Sequence, residues 1–178
     1  MITKEICRMK WKRGNNIVLI GMPGVGKSTI GVILAKIMGY KFIDSDIIIQ
    51  EQEGRLLKDI IADEGIDGFL EIENNVNMNL NMKNAVIATG GSAVYGSQAM
   101  KHYKETSTII YLKLDYEAVD LRLGDIRRRG VVLRAGQTLE DIYNERTLMY
   151  DEYSDIVIDE TGLNLENTLQ TILEVLGI

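Results

Sequence analysis

The chain has one cysteine (Cys7), one histidine (His102) and one proline (Pro23) among 178 residues. A single thiol excludes an internal disulfide and a multi-cysteine metal site, and a single imidazole excludes a histidine cluster. Sparse thiol usage fits a reducing, cytoplasmic setting. No apolar run approaches the roughly 20 residues a membrane span needs, and no membrane partner is expected. The opening stretch, MITKEICRMKWKRGNN, is basic but lacks the apolar centre of a signal peptide. Residues 1–14 therefore read as a solvated basic arm, with Trp11 able to dock on the domain. Positive charge is otherwise in deficit: 20 Lys and Arg stand against 26 Asp and Glu, a formal net charge of −6. That balance argues against a nucleic-acid partner, which would require a basic face. A small acidic ligand stays compatible, because one pocket can be positive within an acidic protein. Pro-, Gly- or Ser-rich linkers, repeats of 20–50 residues and low-complexity tracts are also missing, so a single domain over residues 1–178 is expected.

Short β-type runs alternate with longer helical patterns. Continuous apolar runs such as NIVLI (Asn16–Ile20) suit strands buried on both faces. Further strands are expected at Lys41–Asp44, in NAVIATGG, at Ser107–Leu114 and at Asp155–Asp159. Helical patterns occupy KSTIGVILAKIMG, residues 46–80 with breaks at Gly54 and Gly65, YEAVDLRLGDIRRRG, TLEDIYNERTLMYDEY and LNLENTLQTILEVLG. Gly39 is placed to end the first helix, and Thr138 with Glu140 or Asp141 to start a later one. Strand–helix alternation predicts an α/β fold, a parallel sheet covered by helices on both faces.

Residues 21–29, GMPGVGKST, sit between the first strand and the first helix and complete the pattern G-x-x-x-x-G-K-[ST]. Glycines there let the backbone aim N–H groups at phosphate oxygens, and the following helix adds its positive dipole end. Gly24, Val25, Gly26, Lys27, Ser28 and Thr29 are the candidate nucleotide contacts. Lys27 is placed to reach the β- and γ-phosphates and the Ser28 hydroxyl to ligate Mg²⁺. The motif implies ATP or GTP binding, and by itself does not imply a kinase.

Asp44 and Asp46 follow the second strand, where the C-terminal ends of a parallel sheet form the ligand crevice. They can steer Mg²⁺ and take a proton from a substrate hydroxyl. Asp46, immediately before IIIQEQ, is also placed to cap a helix. Thr89-Gly90-Gly91-Ser92 ends the third strand, and a glycine pair there permits close approach of a ligand to the backbone.

With these segments in order, the chain resembles the shikimate kinase family. That family has a phosphate loop, a D-x-D after the second strand and a GGG loop, matched here by GMPGVGKST, DSD and TGGS. RLGDIRRRGVVL resembles the segment leading into the family's lid, and ERTLMYDEYSDIVID its late R-x-P-L-Y…A-D signature. The resemblance runs from about Ile17 to the end. It implies a P-loop kinase three-layer fold, a five-stranded parallel sheet with helices on both faces and a mobile lid at about 129–137. It implies ATP and Mg²⁺ as cofactors, a small-molecule hydroxyl substrate, shikimate, as acceptor, and a monomer. It places Asp46 at the acceptor hydroxyls, Asp44 at the magnesium, and Gly90 and Gly91 in backbone contact with substrate. Arg122 falls beside the adenine and Arg146 at the substrate carboxylate. Arg129 falls at the transferring phosphate, with Arg127, Arg128 and Arg134 as alternatives for that lid position. Lys27, Asp46 and Arg129 are then the candidate catalytic residues.

Two positions depart from the family pattern. Where the family writes F-R-x-x-E, this chain has Phe69-Leu70-Glu71-Ile72-Glu73, and Ser92 stands for the third glycine of the GGG loop. Both fall on the acceptor side. A kinase of the same fold acting on a different small hydroxyl compound, and a non-catalytic nucleotide-binding module, are the alternative readings.

Overall fold

The computed structural model describes residues 15–124 and 131–178. Its five strands are β1 (Asn16–Ile20), β2 (Lys41–Asp44), β3 (Ala85–Ala88), β4 (Ser107–Lys113) and β5 (Ile156–Asp159). They form one sheet in the order β2-β3-β1-β4-β5, every pair parallel. The sequence pattern follows from this layout. β1 and β3, in the middle, are wholly buried, whereas β2 and β5, at the edges, are partly exposed. Helices α1 (Lys27–Met38), α2 (Ser45–Glu53), α3 (Leu57–Met78), α4 (Ser97–Thr106), α5 (Tyr116–Leu123), α6 (Leu139–Tyr153) and α7 (Leu165–Leu176) complete a three-layer α/β architecture. No helix among the described residues is long and apolar enough to cross a membrane.

Register decides what the sheet presents at its C-terminal edge. Leu19 of β1 and Asp44 of β2 both align with Ala88 of β3. The loop after β1, the acidic pair after β2 and the glycine pair after β3 are therefore neighbours. A second apolar cluster, Ile49, Ile60, Phe69, Val76 and Val132, lies under α2 and α3. Val132 belongs to the segment expected to form the lid, and it is packed down on this cluster with only 7% of its surface exposed.

Several expected boundaries shift. β3 stops at Ala88, before the glycine pair, β4 ends one residue early at Lys113, and β5 begins at Ile156. The helix expected to run through Gly130 ends at Leu123, where Gly124 takes φ +53°. Asp125–Gly130 lie outside the described residues, as does the arm with Trp11. Asp44, not Asp46, caps α2: its carboxylate accepts from the Asp46 amide at 3.1 Å. Asp141 rather than Glu140 completes the capping box with Thr138. Gly54 ends α2, and Gly65, at φ +71°, kinks α3. Helix α4 had no counterpart in the sequence reading. Its N-terminus has no side-chain cap of its own, and the Ala99 amide donates instead to Asn74 Oδ1, 3.0 Å away on α3.

Candidate active site

After β1 the backbone enters the left-handed region at Gly24 (φ +82°) and Gly26 (φ +106°), where a Cβ would be strained. Gly26 caps α1 without any side chain, so no side-chain acceptor occupies the amides of its first turn. A helix start left open in this way is an anion site. Lys27 is buried beneath the loop, its ammonium donating to the carbonyls of Gly21 (2.8 Å) and Met22 (2.9 Å). Burial pulls its pKa down to about 8, against the opposing pull of Asp46.

Ser28 Oγ donates to Asp44 Oδ2 at 2.8 Å, while the other Asp44 oxygen holds the start of α2. A hydroxyl and a carboxylate side by side are hard oxygen donors suited to Mg²⁺. Among the described residues no group of three Asp, Glu, His or Cys could hold a metal ion. These two residues would hold Mg²⁺, which ordinarily draws only one or two ligands from a protein. Asp46 is partly buried, and desolvation, reinforced by Asp44 and opposed by Lys27, raises its pKa to about 6.

The acceptor side closes around Gly90 and Gly91. A Cβ on Gly90 would collide with Glu73 Oε1 and come within 2.8 Å of Asp46 Oδ1, so two carboxylates flank this glycine. A Cβ on Gly91 would lie 2.6 Å from the Pro23 ring, so the chain's one proline seats the phosphate loop on the second glycine loop. Tyr150, fully buried on α6, donates to the Gly91 carbonyl at 2.6 Å and fixes that loop from the other side.

Arg146, also from α6, is 1% exposed. Its Nε donates to the Tyr95 hydroxyl (3.3 Å), its Nη2 to the Val132 carbonyl (3.0 Å), and its guanidinium lies 5.2 Å from the centre of the Tyr95 ring. Glu73 is equally buried. Ser92 Oγ donates to Glu73 Oε2 at 2.6 Å, and Oε1 has no partner. Burial raises the Glu73 pKa to about 7, the Ser92 bond and Arg146 acting against Asp46.

The phosphate loop, Asp46, Glu73, Gly90–Ser92 and Arg146 line one cleft of about 380 Å³, bordered also by Val131 and Val132. Of the residues expected at the site, Gly24, Gly26, Lys27, Ser28, Thr29, Asp46, Gly90, Gly91 and Arg146 line it. Val25 is buried behind the loop, and Arg122 donates to the Val25 carbonyl at 3.2 Å. Arg129 lies outside the described residues. The Glu73–Ser92 bond and the supports from Tyr95 and Tyr150 were not foreseen. The acceptor of the Ser92 hydroxyl lies 19 positions away on a different element.

A family model for shikimate kinase matches residues 23–177. The shikimate kinase of Persephonella marina is 32% identical over 163 residues, covering 91% of this chain and 97% of that one. The Bacillus cytotoxicus enzyme is 34% identical over 158 residues, with 88% and 95% coverage. Among solved structures, the Acinetobacter baumannii shikimate kinase in complex with shikimate superposes with a TM-score of 0.83 at 30% identity, covering 90% of this chain and 92% of that one. With a phosphate loop, Ser28 and the partly buried Asp46 lining one cleft and a family model matching most of its length, the chain belongs to the shikimate kinase family, the ATP- and magnesium-dependent kinases of a small molecule.

Proposed function

We propose that this protein transfers the γ-phosphoryl group of ATP to a hydroxyl of shikimate. The observation that carries this reading is the single cleft in which the open start of α1 and the Lys27 ammonium meet Asp46 and the buried Arg146 guanidinium. One end is built for phosphates and the other for an anionic alcohol.

Phosphoryl transfer asks mainly for positioning and charge stabilisation. The amides of residues 24–29 hold the phosphates. Lys27 exchanges its two carbonyl contacts for phosphate oxygens, and its pKa of about 8 leaves it mostly charged at neutral pH. Mg²⁺, when bound, offsets charge shared by the β- and γ-phosphates, with Ser28 and Asp44 as its protein-side donors. Asp46, ionised above about pH 6, accepts a hydrogen bond from the attacking hydroxyl and orients it. Gly90 and Gly91 offer backbone to the acceptor, and Arg146 pairs with its carboxylate. Arg122 supports the phosphate loop through Val25 beside the base, and Arg129 supplies lid charge to the transition state. We read the protein as a monomer that acts in the cytoplasm.

Steady-state ADP release with ATP, Mg²⁺ and shikimate tests this. Turnover with shikimate preferred over other alcohols is expected, and Lys27→Ala should lower it by at least 10²-fold. A different preferred alcohol would move the reading to another acceptor, as Leu70 and Ser92 suggest. ATP binding without turnover on any alcohol would overturn it.

A further inference from the structure

Beside the acceptor cleft lies a second cavity of about 330 Å³, walled by Ile66, Leu70, Tyr95, Val132, Arg134 and Arg146. Val132 and Arg146 line both spaces, so the two adjoin. Two guanidinium groups face this cavity from separate parts of the chain, one buried on α6 and one from the segment before it. The partners recorded for Arg146 are all neutral: a tyrosine hydroxyl, its ring and a backbone carbonyl. No carboxylate among the described residues lies within salt-bridge distance of it. The buried carboxylate that feels Arg146, Glu73, is bonded to Ser92 and pushed by burial towards its neutral form, so the guanidinium favours an anion in the adjoining space.

Arg134 is held differently. Its Nη2 pairs with Asp67 at 2.7 Å, both side chains well exposed. Solvent exposure makes this pair weak, and Arg134 lines the cavity together with Leu70. Glu145, the carboxylate among the lining residues, accepts from Gln137 Nε2 at 3.4 Å. Gln137 also accepts from the Arg134 amide at 3.1 Å, which fixes the turn that carries the arginine. Leu70 adds bulk to this wall and no charge.

We infer that Arg134 determines acceptor specificity, clamping the acceptor carboxylate together with Arg146 across the wall formed by Leu70. This rests on the reading of the acceptor as a carboxylate-bearing alcohol. A guanidinium suits the task because its planar fork matches a carboxylate. Since Arg134 lies two residues beyond Val132, which is packed on the Phe69 cluster, the clamp also ties acceptor binding to the segment bordering the cleft.

Initial rates on the full chain with shikimate and with its methyl ester test the inference. Arg134→Gln should raise the KM for shikimate about 10-fold or more. The KM for ATP and for the ester should stay within twofold, with an unchanged urea midpoint. Adding Leu70→Arg to that variant should recover much of the lost affinity, which a purely structural role for Arg134 would not allow. Wild-type turnover of shikimate with an unaltered KM in Arg134→Gln overturns the inference alone. A fall in kcat at constant KM also overturns it, by placing Arg134 at the transferring phosphate. Failure of the wild type to phosphorylate shikimate overturns the functional reading and this inference with it.

Discussion

Glu73 sits in an environment that works against its charged form. Its carboxyl is buried, one oxygen is bonded to Ser92 and the other has no partner. Its pKa in the folded chain, about 7, exceeds the ordinary value of 4.5. Between those values the folded state binds more protons than the unfolded state, so stability falls as pH rises through that window. Glu73→Gln has no proton to lose. The urea midpoint of the wild type should therefore drop more between pH 5 and pH 8 than that of the variant, which should be at least as stable as wild type at pH 8. Lys27, Ser28, Asp44 and Asp46 were legible from sequence because short fixed spacings tie them to strand ends. Ser92 was legible only as a departure, and Glu73 only as the glutamate that ends the F-R-x-x-E pattern. Their bond depends on how α3 lies against the loop after β3, and no local pattern encodes that.

Helix α6 connects the acceptor site to the rest of the fold. It begins in a capping box at Thr138 and carries both Arg146 and Tyr150 inward. Tyr150→Phe removes the donor to the Gly91 carbonyl while keeping the ring against Tyr111, whose centre is 5.0 Å away. A loss of about 1 kcal/mol in unfolding free energy is expected, with a raised acceptor KM and a near-constant KM for ATP. Urea titration and steady-state rates would check the two effects. The capping box was readable because both members lie within one turn. Helix α4 was not, since its first turn is capped by Asn74 from α3. The first turn of α3 is similar, with the Leu57 amide donating to Gln50 of α2 at 3.2 Å. Caps borrowed from another helix leave no mark on the local sequence.

At the scale of the molecule, the parallel sheet gathers the loops after β1, β2 and β3 at one edge. Its class was legible, because apolar runs alternating with helical periodicity admit few other layouts. Its strand order was not, because order depends on crossovers rather than on any single segment. Ligands that bind only the folded chain stabilise it through mass action. A non-hydrolysable ATP analogue with Mg²⁺ at 100 times its Kd should add about 2.7 kcal/mol to unfolding. Lys27→Ala should lose most of that gain at the same concentration, as read by thermal melting.

The Pro23 ring leaves no space for a methyl group on Gly91. Anyone retooling this kinase for a new alcohol inherits that constraint: the glycine loop cannot be remodelled without disturbing how the triphosphate is gripped. Among the described residues, no member of the phosphate loop lines the cavity at Leu70 and Arg134, which makes it the place to begin.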